Sequence, residues 1–190
     1  MAGTRAAQAE KTRQSVLDTA RNLFLEHGFD ATSLQLIADT MGVTKANVYY
    51  YFRTKIAILE ALLAPTVEAL TERLDTAEGI ADRKKRVDYL ITTWVDQVVL
   101  AYRTLAPMSR HDPIVRRHEQ ISRDLDALGE RGLRLMFGPD PTSDEQAAYW
   151  LISDLGVVNR RLHHLSDDEL RATLVRLCRR VVRGVGPSRS

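Results

Sequence analysis

Apolar residues recur at helical spacing along almost the whole chain. Between residues 12 and 27 they follow the i, i+4 and i+7 spacing of one buried helix face: Val16, Leu17, Ala20, Leu23 and Phe24. Similar stripes follow through to residue 181, and no segment keeps the alternating period of a strand. The pattern predicts about nine helices and no strand, hence an all-α fold.

Polar and glycine residues punctuate these stripes. Gly28 and Gly42 each follow a stripe directly, where a left-handed residue can close a helix. Thr32 with Gln35 has the spacing of a capping box, and Thr44 can cap the next short helix. We therefore predict short, closely spaced helices in the first third of the chain.

Longer helices are predicted after this first third. Pro65 is expected to kink or end the helix that begins near Lys55, because proline removes an intrahelical hydrogen bond. Two further capping boxes begin late helices, Thr142 with Glu145 and Ser166 with Glu169. We predict an N-terminal three-helix module over residues 10–70 and a larger helical body over 71–185.

Composition and charge place the chain in a broad class. It has 190 residues, 44% hydrophobic and 27% charged, which is typical of a packed globular protein. The longest apolar run, residues 98–102, is far below the roughly 20 residues of a membrane span, and residues 1–10 lack the apolar run of a secretory signal. The single Cys178 excludes an internal disulfide. We expect a cytoplasmic protein without a membrane partner.

The segment 33–52 carries the most specific chemistry. Two helices of about two turns, joined by a short glycine-containing turn, are typical of a helix-turn-helix. The second helix can bury only Val48 and Phe52, which leaves Lys45, Asn47 and the neighbouring tyrosines exposed. A helix of this kind fits the major groove of DNA, with its N-terminal residues at the base edges.

The same segment resembles a known family. The run TSLQLIADTMGVTKANVYYYFRTK at residues 32–55, preceded by AxxLFxxxGF at 20–29, closely resembles the TetR family of bacterial transcriptional regulators. The resemblance covers roughly residues 10–70, and the body is similar in layout only. It implies a homodimeric repressor that binds a palindromic operator on double-stranded DNA. It also implies that a small apolar or amphipathic effector in the body releases the repressor.

The resemblance also implies roles for individual residues. Thr44, Lys45, Ala46 and Asn47 would lie nearest the bases. Tyr49 and Tyr50 would contact phosphate or thymine methyl groups, while the DNA backbone would be anchored by Thr32, Ser33 and Lys55. The family very often has glycine where this chain has Ala46, so a base preference cannot be transferred.

The body offers candidates for an effector pocket. Large side chains on its long helices could form an apolar wall: Trp94, Tyr102, His118, Phe137 and Trp150, with His118 and Asp96 as polar groups that could orient a ligand. The alternative is that most of these side chains simply belong to the core.

The last two apolar stripes are candidates for a dimer interface. One consists of Leu151, Leu155, Val158 and Leu162, and the other of Leu170, Leu174, Leu177 and Val181. Two such helices from each partner would form a four-helix bundle about a two-fold axis. The alternative is that both stripes pack inside one subunit. The arginines of the final helix are expected to be solvated or paired with acids.

No catalytic constellation, metal site or cofactor motif emerges from the sequence. His163 and His164 are adjacent, so on a straight helix they point about 100° apart and cannot share one ion. Cys178 lies within an apolar stripe, which favours a core residue over a nucleophile. We therefore predict that the chain is not an enzyme. A DNA-binding regulator controlled by a protein partner, and an enzyme of unrecognised type, remain as alternatives.

Overall fold

The computed structural model describes residues 2–103, 118–155, 158, 161–162 and 164–185, with side chains except at 2–4 and 101–103. Eight helices lie in these ranges, and no strand does: α1 Ala2–His27, α2 Leu34–Met41, α3 Lys45–Tyr51, α4 Lys55–Glu78, α5 Arg83–Arg103, α6 Glu119–Phe137, α7 Ser143–Ser153 and α8 Asp167–Gly184. The predicted all-α fold is confirmed.

The chain divides into two compact units, one of residues 1–67 and one of residues 68–190. Helix α4 contributes residues to both. The N-terminal unit contains the short helices, and the C-terminal unit contains the long ones. Each unit has its own buried apolar residues, so each can be described by itself.

The N-terminal unit is held by the predicted face of α1. Its five apolar residues are all buried, and Ile37 and Ala38 of α2 and Val48 of α3 are completely shielded from solvent. Gly28 and Gly42 have φ angles of +86° and +67°, in the left-handed region that favours glycine. Both predicted glycine stops are therefore confirmed. Helix α1 begins well before the predicted residue 12.

The helix starts in this unit depend on hydroxyl groups. The Thr44 Oγ1 accepts a hydrogen bond from the Asn47 N–H at 3.3 Å, as predicted for a cap of α3. The predicted capping box of Thr32 with Gln35 is wrong. Ser33 is the N-cap of α2 and accepts from the Leu36 N–H at 3.0 Å. Thr32 is instead buried, and its hydroxyl lies 2.8 Å from the Gly28 carbonyl and 3.3 Å from the Leu23 carbonyl.

Helix α4 continues through Pro65 to Glu78, so of the two predicted effects of this proline the end of the helix is wrong, and the kink stays a prediction. Because proline has no N–H, the Ala61 carbonyl has no hydrogen-bond donor within the helix. Pro65 lies on an exposed part of α4, where water can hydrogen-bond to the freed carbonyl.

The C-terminal unit is built around one apolar cluster from α4 to α8. Its most deeply buried members include Leu74, Ala77, Val95, Leu174 and Cys178. Both predicted capping boxes, at Thr142 and Ser166, are formed with all their reciprocal hydrogen bonds.

Polar side chains join the helices of this unit. The Arg86 guanidinium donates to the Leu135 carbonyl at 2.8 Å and the Ile80 carbonyl at 2.7 Å. On α8, Arg179 pairs with Asp88 at 2.6 Å, and Arg171 pairs with Asp96 at 2.5 Å. The expectation that arginines of the final helix pair with acids is therefore confirmed for these two.

Candidate nucleic-acid interface

Almost all of the surface of helix α3 is exposed to solvent. It has seven residues, and Val48 is its one buried side chain. Phe52, directly after the helix, is also buried, and the Arg13 guanidinium lies 5.3 Å from the centre of its ring. These two apolar contacts fix α3 on the module, and the rest of the helix is left outside the core.

The residues predicted to lie nearest the bases are all exposed. These are Thr44, Lys45, Ala46 and Asn47, at the cap and first turn of α3. The segment from Thr44 to Lys55 contains no acidic residue. Within the described part of the chain, no carboxylate forms a salt bridge with Lys45. The first turn of α3 therefore combines an uncompensated positive charge with polar groups that can donate and accept hydrogen bonds.

The two tyrosines of this surface are held differently. Tyr49 is 44% exposed, and the Arg53 guanidinium lies 4.8 Å from the centre of its ring. Tyr50 is 77% exposed and meets Tyr51 edge to face, with ring centres 5.0 Å apart. A cation over the face of a tyrosine restricts that ring while leaving its hydroxyl accessible.

Arg53 is a candidate residue that the sequence reasoning did not select. It is exposed and contacts Tyr49, so it adds a second positive charge to the same surface. Its position four residues after Tyr49 was the available signal, since residues with that separation face one another on a helix. The chain has left the helix by Arg53, which weakens that rule.

Lys55 and Thr32 differ from the backbone-anchoring role expected for them. The Lys55 ammonium donates to the Phe29 carbonyl at 2.5 Å and the Asp30 carbonyl at 3.3 Å, and it lies 4.5 Å from the centre of the Phe29 ring. Its contacts therefore stabilise the turn after α1. Thr32 is 1% exposed, and a phosphate cannot reach its side chain, so its predicted DNA contact is wrong. Ser33 is exposed, and its role stays a prediction.

Comparison with known proteins gives this module a family. The model of the family described as "Bacterial regulatory proteins, tetR family" matches residues 16–62. The HTH-type transcriptional regulator SrpR of Pseudomonas putida is 42% identical over 64 residues, which are 34% of this chain. Residues 16–62 of the chain therefore match the TetR family.

The similarity to SrpR covers 30% of that protein's length. Over nearly the whole chain, the structure is similar to a regulator of the TetR/AcrR family from Thermobifida fusca. The TM-score is 0.53 and the identity 25%, covering 94% of this chain and 100% of that one. A SmeT–triclosan complex shares the fold, with a TM-score of 0.55 and 19% identity over 88% of this chain and 90% of that one.

The residues predicted to form an effector pocket lie in several places. Trp94 and Phe137 are half-buried against the core cluster, and the Trp94 indole donates to the Ile152 carbonyl at 2.9 Å. Trp150 is half-buried and meets Tyr149 edge to face, with ring centres 4.8 Å apart. His118 is the N-cap residue of α6, and the side chain of Tyr102 lies outside the described residues. The pocket stays a prediction.

Asp96 does not stand free to orient a ligand. Its two carboxylate oxygens accept hydrogen bonds from Arg171 at 2.5 and 3.3 Å. Asp96 therefore joins α5 to α8 and does not have the ligand-orienting role expected for it.

The residues predicted for a dimer interface fall into two groups. Leu155, Leu170 and Leu174 are at most 4% exposed and belong to the core of their own subunit, so assigning them to the interface is wrong. Leu151 and Leu177 are 66% and 42% exposed. Val158, Leu162 and Val181 are intermediate and pack against the core. Helix α7 ends at Ser153, so the first predicted stripe does not lie on one continuous helix.

The other chemical candidates are accounted for by packing. Cys178 is fully buried, and burial raises the pKa of its thiol to about 11. Within the described ranges, no three His, Cys, Asp or Glu side chains are grouped so as to hold a metal ion. His163 lies outside those ranges. No helix in the described part of the chain is long and apolar enough to cross a membrane.

Proposed function

We propose that this TetR-family protein binds double-stranded DNA through the exposed face of α3 and regulates transcription. The single observation that carries the proposal is the composition of that face. Lys45, Asn47 and Tyr49 are all exposed on a helix that buries only Val48. Positive charge and hydrogen-bonding side chains together suit a surface that must meet both phosphates and base edges.

The dimensions of α3 suit the major groove, which is about 12 Å wide and admits one helix. Its N-terminal residues would then face the bases. Lys45 and Asn47 supply a donor and a paired donor–acceptor there, and Tyr49 would reach the sugar-phosphate backbone with Arg53 beside it. Ser33, at the start of α2, is exposed and available for a second phosphate contact.

The protein is proposed to act as a homodimer on a palindromic operator. Two recognition helices must lie about 34 Å apart to enter successive major grooves. Leu151 and Leu177 support a dimer surface on the C-terminal unit, because they are large apolar side chains left exposed on α7 and α8. Partly exposed residues at Val158, Leu162 and Val181 would extend that surface.

Repression is proposed to respond to a small effector in the C-terminal unit. The SmeT structure, which shares this fold, was solved as a complex with triclosan. An effector that prefers a different separation of the recognition helices would shift the population away from DNA, by no more than its differential affinity for the two states. Trp94 and Phe137 are the predicted pocket residues that pack against one cluster.

Fluorescence anisotropy tests the DNA-binding proposal. The probe is the duplex immediately upstream of the protein's own gene, titrated across a salt series beside a scrambled duplex of equal length. The proposal predicts a Kd of about 10⁻⁸–10⁻¹¹ M for the upstream duplex and a steep loss of affinity with salt. Equal affinity for both duplexes, near the 10⁻⁴–10⁻⁶ M that is typical of non-specific binding, would contradict it.

A further inference from the structure

Arg73 is an arginine in the C-terminal unit with an incomplete set of partners. It lies on α4 and is half-buried. Its Nη2 donates to the Gln97 side-chain carbonyl on α5. Its Nη1 is buried and has no hydrogen-bond partner among the described residues. A guanidinium has five N–H donors, and a buried donor without a partner is costly.

Two other arginines of the same unit each have two partners. The Arg86 guanidinium donates to two backbone carbonyls, those of Leu135 and Ile80. Arg131 pairs with Asp75 at 2.8 Å and also with Glu78. Arg73 instead has one neutral amide as its partner. Among the described residues, Arg86 and Arg131 are therefore paired more fully than Arg73.

The carboxylate that acts electrostatically on Arg73 does not supply the missing hydrogen-bond partner. Asp96 and Tyr89 act on Arg73 electrostatically, but the oxygens of Asp96 accept hydrogen bonds from Arg171. Burial is the main influence on the guanidinium, and it lowers the pKa of Arg73 from its ordinary value. Arginine nevertheless stays charged in proteins. Arg73 is thus a partly buried cation that forms no salt bridge with a carboxylate of the described residues.

Apolar side chains also lie beside Arg73. Leu70 and Ala77 lie on the same side of α4, three and four residues from it, and both belong to or pack on the core cluster. Trp94 lies three residues before Gln97 on α5 and packs on the same cluster. An anion that reached Arg73 would therefore have its remaining atoms beside apolar side chains.

We propose that Arg73 and Gln97 form the head-group site for the effector, and that the effector is an amphipathic anion: a carboxylate or phosphate on an apolar body. A guanidinium can donate two parallel hydrogen bonds to either group, and the Gln97 amide can supply a third donor. This inference rests on the proposed effector-controlled function and specifies the chemical class of its ligand.

A melting experiment separates a ligand site from a structural arginine. Both tryptophans of the chain, Trp94 and Trp150, lie in the C-terminal unit, so their fluorescence follows the unfolding of that unit. Because Arg73→Met removes an incompletely paired buried charge, we expect a melting temperature equal to or above that of the wild type. The control Arg86→Met leaves two carbonyls without donors, and we expect a melting temperature about 4 °C lower or more. A loss for Arg73→Met equal to that of Arg86→Met overturns the inference.

Three eight-carbon probes test the ligand class directly: octanoate, octyl phosphate and the neutral octanamide. We expect one or both anions to raise the wild-type melting temperature more than octanamide does, and Arg73→Met to abolish the difference. The anion with the larger effect identifies the head group as carboxylate or phosphate. Equal effects of all three probes on the wild type, or an anion effect that survives Arg73→Met, overturn the inference.

The same proteins distinguish this inference from the proposed function on which it rests. Arg73→Met is expected to bind the upstream duplex as tightly as the wild type, and octanoate or octyl phosphate to release the wild type only. If neither protein binds that duplex specifically, the proposed regulatory function fails. The probe-dependent melting of wild type and variant still decides the Arg73 site in that case.

Discussion

Helices α3 and α8 are built for opposite purposes. Of the seven residues of α3, one is buried. Helix α8 buries five of its 18 residues, namely Leu170, Leu174, Val175, Cys178 and Val182, and ties two of its arginines to carboxylates on α5. Both helices have basic side chains on their surfaces. A basic helix is therefore a candidate DNA surface when few of its side chains are buried, and a core element when many are.

The largest expected effect concerns the leucines of α8, which are divided between the buried core and the exposed surface. Leu174 is fully buried and Leu177 is 42% exposed, three residues along the same helix. Leu174→Ala should lower the free energy of unfolding by about 2–5 kcal/mol, because it removes buried methyl groups and leaves a cavity. Leu177→Ala should change protomer stability by about 0.5 kcal/mol or less. Chemical denaturation at low protein concentration measures both.

Assembly provides the second readout for this pair. Leu177→Asp should dissociate the proposed dimer in analytical ultracentrifugation, because a charge would enter its apolar interface. Leu25→Asp is the matched control, since Leu25 is 53% exposed on α1 of the other unit. Dissociation by Leu25→Asp, with Leu177→Asp still dimeric, would contradict the division.

An intermediate effect tests the buried hydroxyl of the N-terminal unit. Thr32→Val should cost about 1–3 kcal/mol, because it removes the one hydroxyl hydrogen that the Gly28 and Leu23 carbonyls share. Thr40→Val is the control: the Thr40 hydroxyl also donates to a carbonyl, that of Leu36, but at an exposed position where water can replace it. DNA affinity measured well below the melting temperature should stay unchanged in Thr32→Val. A normal stability with weakened DNA binding would restore the role in DNA contact.

The smallest expected effect concerns Cys178. Its pKa of about 11 in the folded protein exceeds that of an unfolded thiol, about 8.5. Between these values the unfolded state loses its proton first, so stability falls as pH rises through this window and is lost no further above it. From pH 8.5 to 9.5 the wild type should lose up to about 1.4 kcal/mol more than Cys178→Ala. Identical pH dependences in urea denaturation would show that the thiol titrates normally.

The sequence predicted the N-terminal unit more completely than the C-terminal one, for a physical reason. Periodicity, glycine stops and the Thr44 cap are local signals, and they located α1 to α3. With only Val48 and Phe52 needed for packing, exposure of Lys45 and Tyr49 followed directly. Thr32 was misassigned because its hydrogen bond to Leu23 spans nine residues, beyond any capping motif.

The C-terminal unit depends on contacts between residues far apart in the chain. The apolar stripe of α8 was correctly located, but periodicity could not tell Leu174 from Leu177, since both are leucines on nearly the same helical face. Which one is buried depends on how α5 and α7 pack against α8. The pairing of Asp96 with Arg171, 75 residues apart, likewise carries no sequence signal.

Binding of the upstream duplex by two single variants tests whether α3, and not α8, is the DNA surface. Lys45→Ala and Arg180→Ala each remove one exposed cation, from α3 and from α8 respectively. We expect about tenfold weaker binding for Lys45→Ala, with the salt slope reduced by about 1, and binding within about twofold of the wild type for Arg180→Ala. Weaker binding by Arg180→Ala with Lys45→Ala unaffected would contradict this expectation.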